Sequence, residues 1–369
     1  MLSQLKLRNF KCFAEQTFNL SALNLLTGLN GTGKSSVLQS MLLLRQSHEM
    51  GVLDREGLAL NGHLVRLGTA KDVFFEDSKE EIIEIGLRDK EGSFNNFVYS
   101  YDETRDFLQS ATPTEVSREV ISGMNLFSDQ FHYLQAERIG PRQAFPMSDQ
   151  HVRVHGQVGA DGEFTSHFLN LYGTRKVPPK LRHPRATNDT LRSQVEAWLG
   201  EISPGVRIWL ASHVDMDLIK LGFSFSGSRH TTGEFRSTSV GFGLSYVLPI
   251  LVAILSSTPG ALILQENPEA HLHPRGQGKM GELIALAAAT GIQLIVESHS
   301  DHILNGIRIA VRQGHLTDGN TAFFFFSKID KDGYMCSQVE TPTIDGDGRM
   351  DYWPDGFFDE WEKSLENLF

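Results

Sequence analysis

The stretch that most constrains this chain is a glycine-rich loop between an apolar segment and an apolar-faced helix. Residues 22–47 read ALNLLTGLNGTGKSSVLQSMLLLRQS, and the part GLNGTGKS follows the spacing G-x-x-x-x-G-K-[ST]. Glycines allow backbone amides to point at phosphate oxygens, Lys34 adds a mobile positive charge, and Ser35 offers a hydroxyl to magnesium. The pattern therefore predicts a nucleotide site formed by Asn30, Gly31, Thr32, Gly33, Lys34, Ser35 and Ser36.

Apolar runs and helical patterns alternate in the second half of the chain, which is typical of an α/β fold. The short runs ALIL and IQLIV, with a helix pattern between them, predict parallel strands that are covered on both faces. The closing strands are expected to form a hairpin that turns at Asp332 and Gly333. We predict four segments: an N-terminal lobe with the glycine loop at 1–101, an inserted and largely helical arm at 102–222, a second lobe at 223–327, and a hairpin with an acidic, aromatic tail at 328–369.

Composition narrows the class of protein without naming a function. Lys and Arg total 34 against 45 Asp and Glu, a formal charge of -11, which argues against a surface coated for bulk nucleic-acid binding. The two cysteines, Cys12 and Cys336, cannot form a disulfide scaffold, so a reducing cytoplasm is the expected location. No apolar run approaches the roughly 18 residues that a membrane span needs, and no membrane partner is expected.

Three further stretches follow the glycine loop in a fixed order. In SVGFGLSYVLP, the residues Ser239, Gly241 and Gly243 precede an apolar helix, so bare amides at its N-terminus would face an anion. In QENPEAHLHP, Glu266 ends a buried strand and is the expected magnesium ligand. In IVESHSDHI, His299 follows the next buried strand and is expected to reach a terminal phosphate.

Two other readings of the ionisable residues involve metals. Zinc is one, although the HLH and HSDH spacings do not match a structural zinc site; its ligands would be His271, His273, His299 and His302. A metal-dependent nuclease centre in the acidic tail is the other, but the tail lacks a matching His or Lys constellation. Docking of a partner or of a second subunit is the favoured role of the tail.

Taken in order, the glycine loop, the Gly-rich helix start, NPEAHLHP and ESHSDHI resemble the ATPase heads of the ABC superfamily, in the branch of SMC, RecF and OLD proteins. Within that branch the chain is similar to small stand-alone bacterial ATPases that end in an uncharacterised C-terminal domain and often lie in anti-phage operons. YLQAERIGPR and WPDGFFDE, near the middle and the end of the chain, fit that group as well. In the first of these, Arg138 and Arg142 are expected either to approach the nucleotide or to brace the sheet.

The resemblance implies a P-loop NTPase fold, like that of an ABC or SMC head, with a mixed and parallel sheet flanked by helices. It implies ATP and Mg²⁺ as cofactors and a homodimer in which the signature turn of one subunit closes on the nucleotide of the other. By position it implies Walker A at 28–36, a signature-like turn at 239–243, Walker B at 262–266, a D-loop around 269–274, and a switch histidine at His299.

Most relatives carry two adjacent acids before the Walker B proline, the first for magnesium and the second as the base. Aligned on PEAHLHP without a gap, Glu266 takes the metal position and Asn267 the base position. The other alignment puts Gln265 at the metal position and Glu266 at the base position, and it needs one extra residue before Pro268. We favour the ungapped version, because the loop geometry is set from the proline side. In both, an amide without useful basicity replaces one acid.

We therefore expect slow ATP hydrolysis, with Glu269 or His299 partly standing in as the base. Three functions remain open: an ATP-gated dimeric switch for a protein effector encoded nearby, in anti-phage defence; a DNA-repair ATPase of the RecF or SMC type; and a nucleotide-sensing scaffold with negligible hydrolysis. The DNA-binding alternative depends on the acid-free stretch RKVPPKLRHPR, which is otherwise a solvated loop. Its cations are Arg175, Lys176, Lys180, Arg182 and Arg185.

Overall fold

The computed structural model describes residues 1–53, 55–111, 123–331, 334–358 and 365–366. The chain divides into two compact units, each built from separate stretches of sequence. Unit 1 comprises Met1–Ser128, Thr321–Thr343 and Met350–Phe369, and unit 2 comprises Asp129–Asn320 and Ile344–Arg349. These limits differ from the four predicted segments, because strands far apart in sequence belong to one unit.

The strands, in chain order, are β1 (Leu2–Phe10), β2 (Phe13–Asn19), β3 (Leu23–Gly28), β4 (Gly57–Ala59), β5 (Ile82–Asp89), β6 (Phe94–Ser100), β7 (Phe107–Gln109), β8 (Phe131–Leu134), β9 (Phe145–Pro146), β10 (Val206–His213), β11 (Leu218–Phe225), β12 (Phe235–Arg236), β13 (Leu262–Glu266), β14 (Gln293–Glu297), β15 (Thr321–Lys331) and β16 (Tyr334–Glu340). The α-helices are α1 (Lys34–Glu49), α2 (Ala70–Val73), α3 (Thr165–Tyr172), α4 (Leu191–Ile202), α5 (Phe242–Ser256), α6 (Pro274–Ala289) and α7 (Asp301–Arg312). Short 3-10 or π turns lie at Asn125–Phe127, Gln150–Val154, Pro179–Leu181, Val214–Met216, Ser237–Ser239 and Asp318–Asn320.

Unit 1 carries the N-terminal strands and the closing hairpin. β2, β1, β5 and β6 form an antiparallel sheet in that order, and β15 pairs parallel to β3 and antiparallel to β16. The four phenylalanines of β15 are buried, and Phe18 from β2 packs its ring 5.5 Å from Phe324 and 6.0 Å from Phe326. The predicted hairpin is confirmed by the β15–β16 pairing, whereas its turn, Asp332 and Gly333, lies outside the described residues.

Unit 2 contains the predicted parallel strands. β13 pairs parallel to β14 on one side and to β8 on the other, and the apolar residues of β13 and β14 are fully buried. Helices α6 and α7 approach closely at two glycines: a Cβ on Gly281 would lie 2.2 Å from the carbonyl oxygen of Ile303, and one on Gly306 would lie 2.2 Å from that of Gly278. No α-helix in the described part of the chain is both long and apolar enough to cross a membrane.

The predicted arm, residues 102–222, is mixed rather than largely helical where it is described. Helix α4 is one of its helical pieces, but β10 and β11 form an antiparallel hairpin of eight residue pairs. Val206 and Ile208 are buried while Arg207 and Trp209 are more exposed, an alternation that suits a half-buried strand. The prediction of a largely helical arm is therefore wrong for this segment, because its period-two pattern forms strands.

Candidate nucleotide-binding site

The glycine loop lies in unit 1, between the end of β3 and the start of α1. Gly28, Gly31 and Gly33 have φ angles of 129°, 71° and 108°, which favour glycine. A Cβ on Gly28 would lie 2.0 Å from the carbonyl oxygen of Phe326, and one on Gly33 would lie 2.4 Å from Sγ of Cys12. A Cβ on Gly31 would meet no atom within 4 Å. Packing therefore fixes both ends of the loop and leaves its middle open, an arrangement that fits a phosphate cradle.

Lys34 folds back into this loop. Its Nζ donates hydrogen bonds to the carbonyl oxygens of Gly28 and Leu29 at 3.0 and 2.6 Å, and the residue is buried. The hydroxyl of Thr32 donates to the same Leu29 oxygen at 2.7 Å. Ser35 is half-buried in the first turn of α1. The loop thus holds a buried positive charge at its backbone, which the oxygens of a phosphate group would complement.

Glu266 ends β13 in unit 2, and both its carboxylate oxygens are anchored. The hydroxyl of Tyr133 donates to Oε1 at 2.9 Å, and the amide of Ala136 donates to Oε2 at 3.1 Å. Burial, followed by the charge of Glu266, raises the pKa of Tyr133, so the phenol stays protonated and acts as a donor. The preceding Gln265 is 0% exposed, and neither polar atom of its side chain has a hydrogen-bond partner among the described residues. Glu266 is therefore the more accessible of the two candidate metal ligands.

Arg138 braces the end of this strand. Its guanidinium donates to the carbonyl oxygens of Glu266 and Asn267 at 2.7 and 2.8 Å, and to those of Gln135 and Tyr246 at 2.9 and 3.1 Å. Arg138 is only 2% exposed, and burial lowers its pKa to about 10, so it remains charged at neutral pH. Of the two roles predicted for this arginine, the structure supports bracing.

The loop after Walker B returns to the end of β14 through Glu269. One carboxylate oxygen accepts a hydrogen bond from the amide of His299 at 2.8 Å, and the other accepts one from the hydroxyl of Ser298 at 2.8 Å. Asn267 has a left-handed φ of 43°, and its amide donates to the carbonyl oxygen of Glu297 at 2.8 Å. Glu269 therefore holds the turn that carries Ser298 and His299, and both its oxygens are engaged as acceptors.

Glu297 is a candidate that sequence reasoning missed. It ends β14 directly opposite Glu266 in the parallel pairing and is buried. Its negative charge also contributes to the raised pKa of Tyr133. Acids at the carboxyl ends of adjacent parallel strands lie at one edge of the sheet, so Glu297 adds a second carboxylate near Glu266. The sequence feature that could have identified Glu297 is its position as the acid at the end of the run QLIVE.

The signature-like turn lies in unit 2 at the start of α5. Ser239 and Gly241 are exposed, and a Cβ on Gly241 would meet no atom within 4 Å. In contrast, a Cβ on Gly243 would lie 2.7 Å from the carbonyl oxygen of His271, whose ring centroid is 5.5 Å from that of Phe242. The turn thus rests on the D-loop residue His271 and presents its glycine corner outward.

The predicted site residues are distributed over the two units. The glycine-loop residues lie in unit 1, whereas Glu266, Asn267, Glu269, His299 and the signature turn lie in unit 2. Within unit 2, Arg138 bonds to the carbonyl oxygens of both Glu266 and Asn267, and Glu269 accepts from the amide of His299. The signature turn packs against His271 through Gly243. The described residues contain no group of three His, Cys, Asp or Glu side chains suited to a metal, which gives no support to the zinc alternative.

Comparison with known families shows the family to which this chain belongs. Residues 23–305 match the family described as "AAA domain, putative AbiEii toxin, Type IV TA system". The chain belongs to this family. Residues 316–368 of this AAA-domain chain match a second model, described as "Protein of unknown function (DUF3696)". No curated protein matches the chain significantly.

Solved structures show the same fold for this AAA-domain chain. An SMC head bound to the C-terminal winged-helix domain of ScpA is 15% identical with a TM-score of 0.56, and the match covers 93% of this chain and 98% of that one. An SMC head with an extended coiled coil, bound to the C-terminal domain of ScpA derived from Pyrococcus furiosus, is 12% identical with a TM-score of 0.51; the match covers 100% and 99%. The family model thus identifies an AAA domain, and the solved structures show that it has the fold of an SMC head, as the resemblance implied.

Proposed function

We propose that this ATPase head binds ATP with Mg²⁺, hydrolyses it slowly, and uses the bound nucleotide to close two copies into a dimer. The observation that carries the proposal is the glycine loop, which combines an open middle at Gly31 with the buried ammonium group of Lys34. Backbone amides and a lysine at a helix N-terminus are the groups that bind the phosphates of a nucleotide.

The residues at the two predicted magnesium positions fit a hard, oxygen-preferring cation. Ser35 offers a hydroxyl and Glu266 a carboxylate, and Mg²⁺ prefers such ligands. Bound Mg²⁺ would neutralise charge on the terminal phosphates. Tyr133 and the amide of Ala136 orient the carboxylate of Glu266 for this role.

Slow hydrolysis follows from the position of Asn267. An amide cannot accept a proton from water, and losing a general base typically slows a reaction about a hundred- to ten-thousand-fold. Glu269 is a weak substitute because Ser298 and His299 engage both its oxygens. His299 and Glu297 remain as the residual bases.

Single-turnover ATP hydrolysis by the purified chain tests this proposal. We expect a rate far below the roughly ten per second of an average enzyme. Asn267→Glu should accelerate hydrolysis, and Asn267→Gln, the matched control, should not. A wild-type rate near that average, or no acceleration by Asn267→Glu, contradicts the assignment of the base position.

The dimeric switch is supported by the outward-facing corner at Gly241 and its contact with the D-loop residue His271 through Gly243. In light scattering, adding ATP and Mg²⁺ should double the mass of the wild type and leave the mass of Lys34→Ala unchanged. An unchanged wild-type mass, or the same response in both proteins, rules the switch out. The family name mentions a toxin and a toxin–antitoxin system, and this favours a nearby protein effector and a role in anti-phage defence.

The DNA-repair alternative is less favoured, because internal contacts engage most cations of the acid-free stretch RKVPPKLRHPR, residues 175–185, which we call the basic arm. Lys176 and Arg182 lie 3.5 and 3.4 Å from the carboxylate of Asp189, and Arg185 pairs with Glu201. Arg175 lies over the ring of Tyr172. The DNA-repair alternative would be favoured if double-stranded DNA stimulated ATP hydrolysis and if this stimulation fell strongly as the salt concentration rose.

A further inference from the structure

A cavity of about 640 Å³ lies within unit 2, and none of the residues assigned to ATP above lines it. The turn around Lys180, residues 182–185, α4, α6 and residues 314–315 surround it. Its volume falls within the range of about 300–1,000 Å³ that is usual for small-molecule sites. The basic arm therefore forms one wall of a concave site instead of a flat surface.

The lining of this cavity is basic although the whole chain carries a formal charge of -11. The acids in the lining are Glu201 and Glu282, and both are already paired. Glu201 accepts from the ring of His183 at 3.0 Å and pairs with Arg185, and Glu282 lies 2.6 Å from Nζ of Lys279. The cations in the lining are Lys180, Arg182, Arg185 and Lys279. They outnumber the acids by two, but Arg182 also pairs with Asp189 outside the lining, so one unbalanced positive charge remains and favours an anionic ligand.

Lys180 carries this unbalanced charge. Its Nζ reaches the carbonyl oxygen of Ala289, at the C-terminal end of α6, at 3.5 Å, and no carboxylate among the described residues pairs with it. Arg185 has a 66% exposed side chain, and that of Lys279 is 40% exposed. These three cations are therefore accessible to a ligand while they converge on one cavity.

The floor of the cavity is apolar and rigid. Trp198 is buried, and its indole N–H donates to the carbonyl oxygen of Leu181 at 3.2 Å. Its ring packs edge-on against His183, with centroids 4.9 Å apart, and Leu286 adds an aliphatic side chain to the lining. Burial lowers the pKa of His183, which keeps the imidazole neutral at pH 7. A cationic rim above an apolar floor suits a molecule with both a charged and an uncharged part.

We propose that this cavity binds a phosphorylated small molecule, with Lys180, Arg185 and Lys279 contacting the phosphate groups and Trp198 forming the floor. Charge-assisted hydrogen bonds from Arg and Lys are the usual means of holding phosphate in a concave site. A nucleic-acid backbone would instead need a continuous exposed surface, and the pairs of Lys176 and Arg182 with Asp189 interrupt one here.

Isothermal titration calorimetry with inorganic pyrophosphate tests the proposal on the full chain carrying Lys34→Ala, which removes the glycine loop as a competing site. We expect pyrophosphate to bind, and Lys180→Gln combined with Lys279→Gln to weaken binding about tenfold or more. The matched control is Arg175→Gln with Lys176→Gln, on the same arm but outside the lining, and it should bind as the parent does. Circular dichroism of each variant confirms folding. Lys180→Glu alone leaves the Lys279–Glu282 pair intact and should also weaken pyrophosphate binding.

Fluorescence locates the ligand independently. Pyrophosphate should change the tryptophan emission of the parent but not that of Trp198→Phe. The proposal is overturned if pyrophosphate does not bind or if Lys180→Gln with Lys279→Gln binds as the parent does. It is also overturned if a single-stranded oligonucleotide displaces pyrophosphate and binds more tightly through the same two lysines. None of these results depends on ATP turnover, so failure here leaves the proposed function standing.

Discussion

Replacing Arg138 by methionine should destabilise unit 2 and disturb the end of β13. Arg138 donates to four backbone carbonyl oxygens, and methionine keeps much of the side-chain volume but donates to none of them. Each buried carbonyl that loses its partner costs about 1–3 kcal/mol. A simple sum overestimates the loss because water can enter and some oxygens keep other bonds. We expect the free energy of unfolding to fall by about 3–5 kcal/mol, near the lower end of the roughly 4–12 kcal/mol that four such losses would sum to.

Guanidinium unfolding, followed by circular dichroism, measures this change. Arg142→Met is the matched control, since Arg142 belongs to the same segment but is exposed, and it should alter stability by no more than about 0.5 kcal/mol. Arg138→Lys should recover only part of the loss, because one ammonium group cannot bridge four carbonyls held by a planar guanidinium. A loss below about 1 kcal/mol for Arg138→Met would show that the carbonyls are satisfied without the guanidinium.

Four further substitutions test the site. Gly28→Ala, at φ 129° with its Cβ 2.0 Å from the carbonyl oxygen of Phe326, should abolish binding of a fluorescent ATP analogue, while Gly31→Ala, in open space, should retain more of it. Gly243→Ala, with its Cβ 2.7 Å from the carbonyl oxygen of His271, should shift the signature turn, so light scattering should show less ATP-dependent dimer with unchanged ATP affinity. Glu297→Gln should slow single-turnover hydrolysis about tenfold or more with ATP still bound, and an unchanged rate would exclude Glu297 as a residual base.

Local patterns predicted much of the nucleotide site. The glycine loop was evident because its spacing, the apolar strand before it and the helix after it are encoded within about 30 consecutive residues. β13 and β14 were evident as short apolar runs for the same reason. The roles of Glu266 and His299 came from their positions at strand ends and that of Asn267 from the family resemblance, and all three remain predictions.

Other features depend on contacts that no local pattern encodes. Arg138 lies far from Tyr246 and Glu266 in sequence, so its four carbonyl partners could not be read from AERIGPR alone. Glu269 was expected to stand in as a base. Its hydrogen bonds with Ser298 and His299 are tertiary contacts, which the local sequence does not show. The β10–β11 hairpin was missed although its alternation is present, since the surrounding Pro- and Gly-rich loops obscured its period of two.

The return of the chain to unit 1 has a consequence for biosynthesis. β3 pairs with β15, whose first residue is Thr321, so the sheet around the glycine loop cannot be completed until more than three hundred residues have left the ribosome. Until then one apolar edge of β3 is unpaired and exposed to solvent, and such edges invite aggregation. Nascent chains and C-terminal truncations ending before Thr321 should therefore depend on chaperones, and nucleotide can stabilise the protein only after translation is nearly finished.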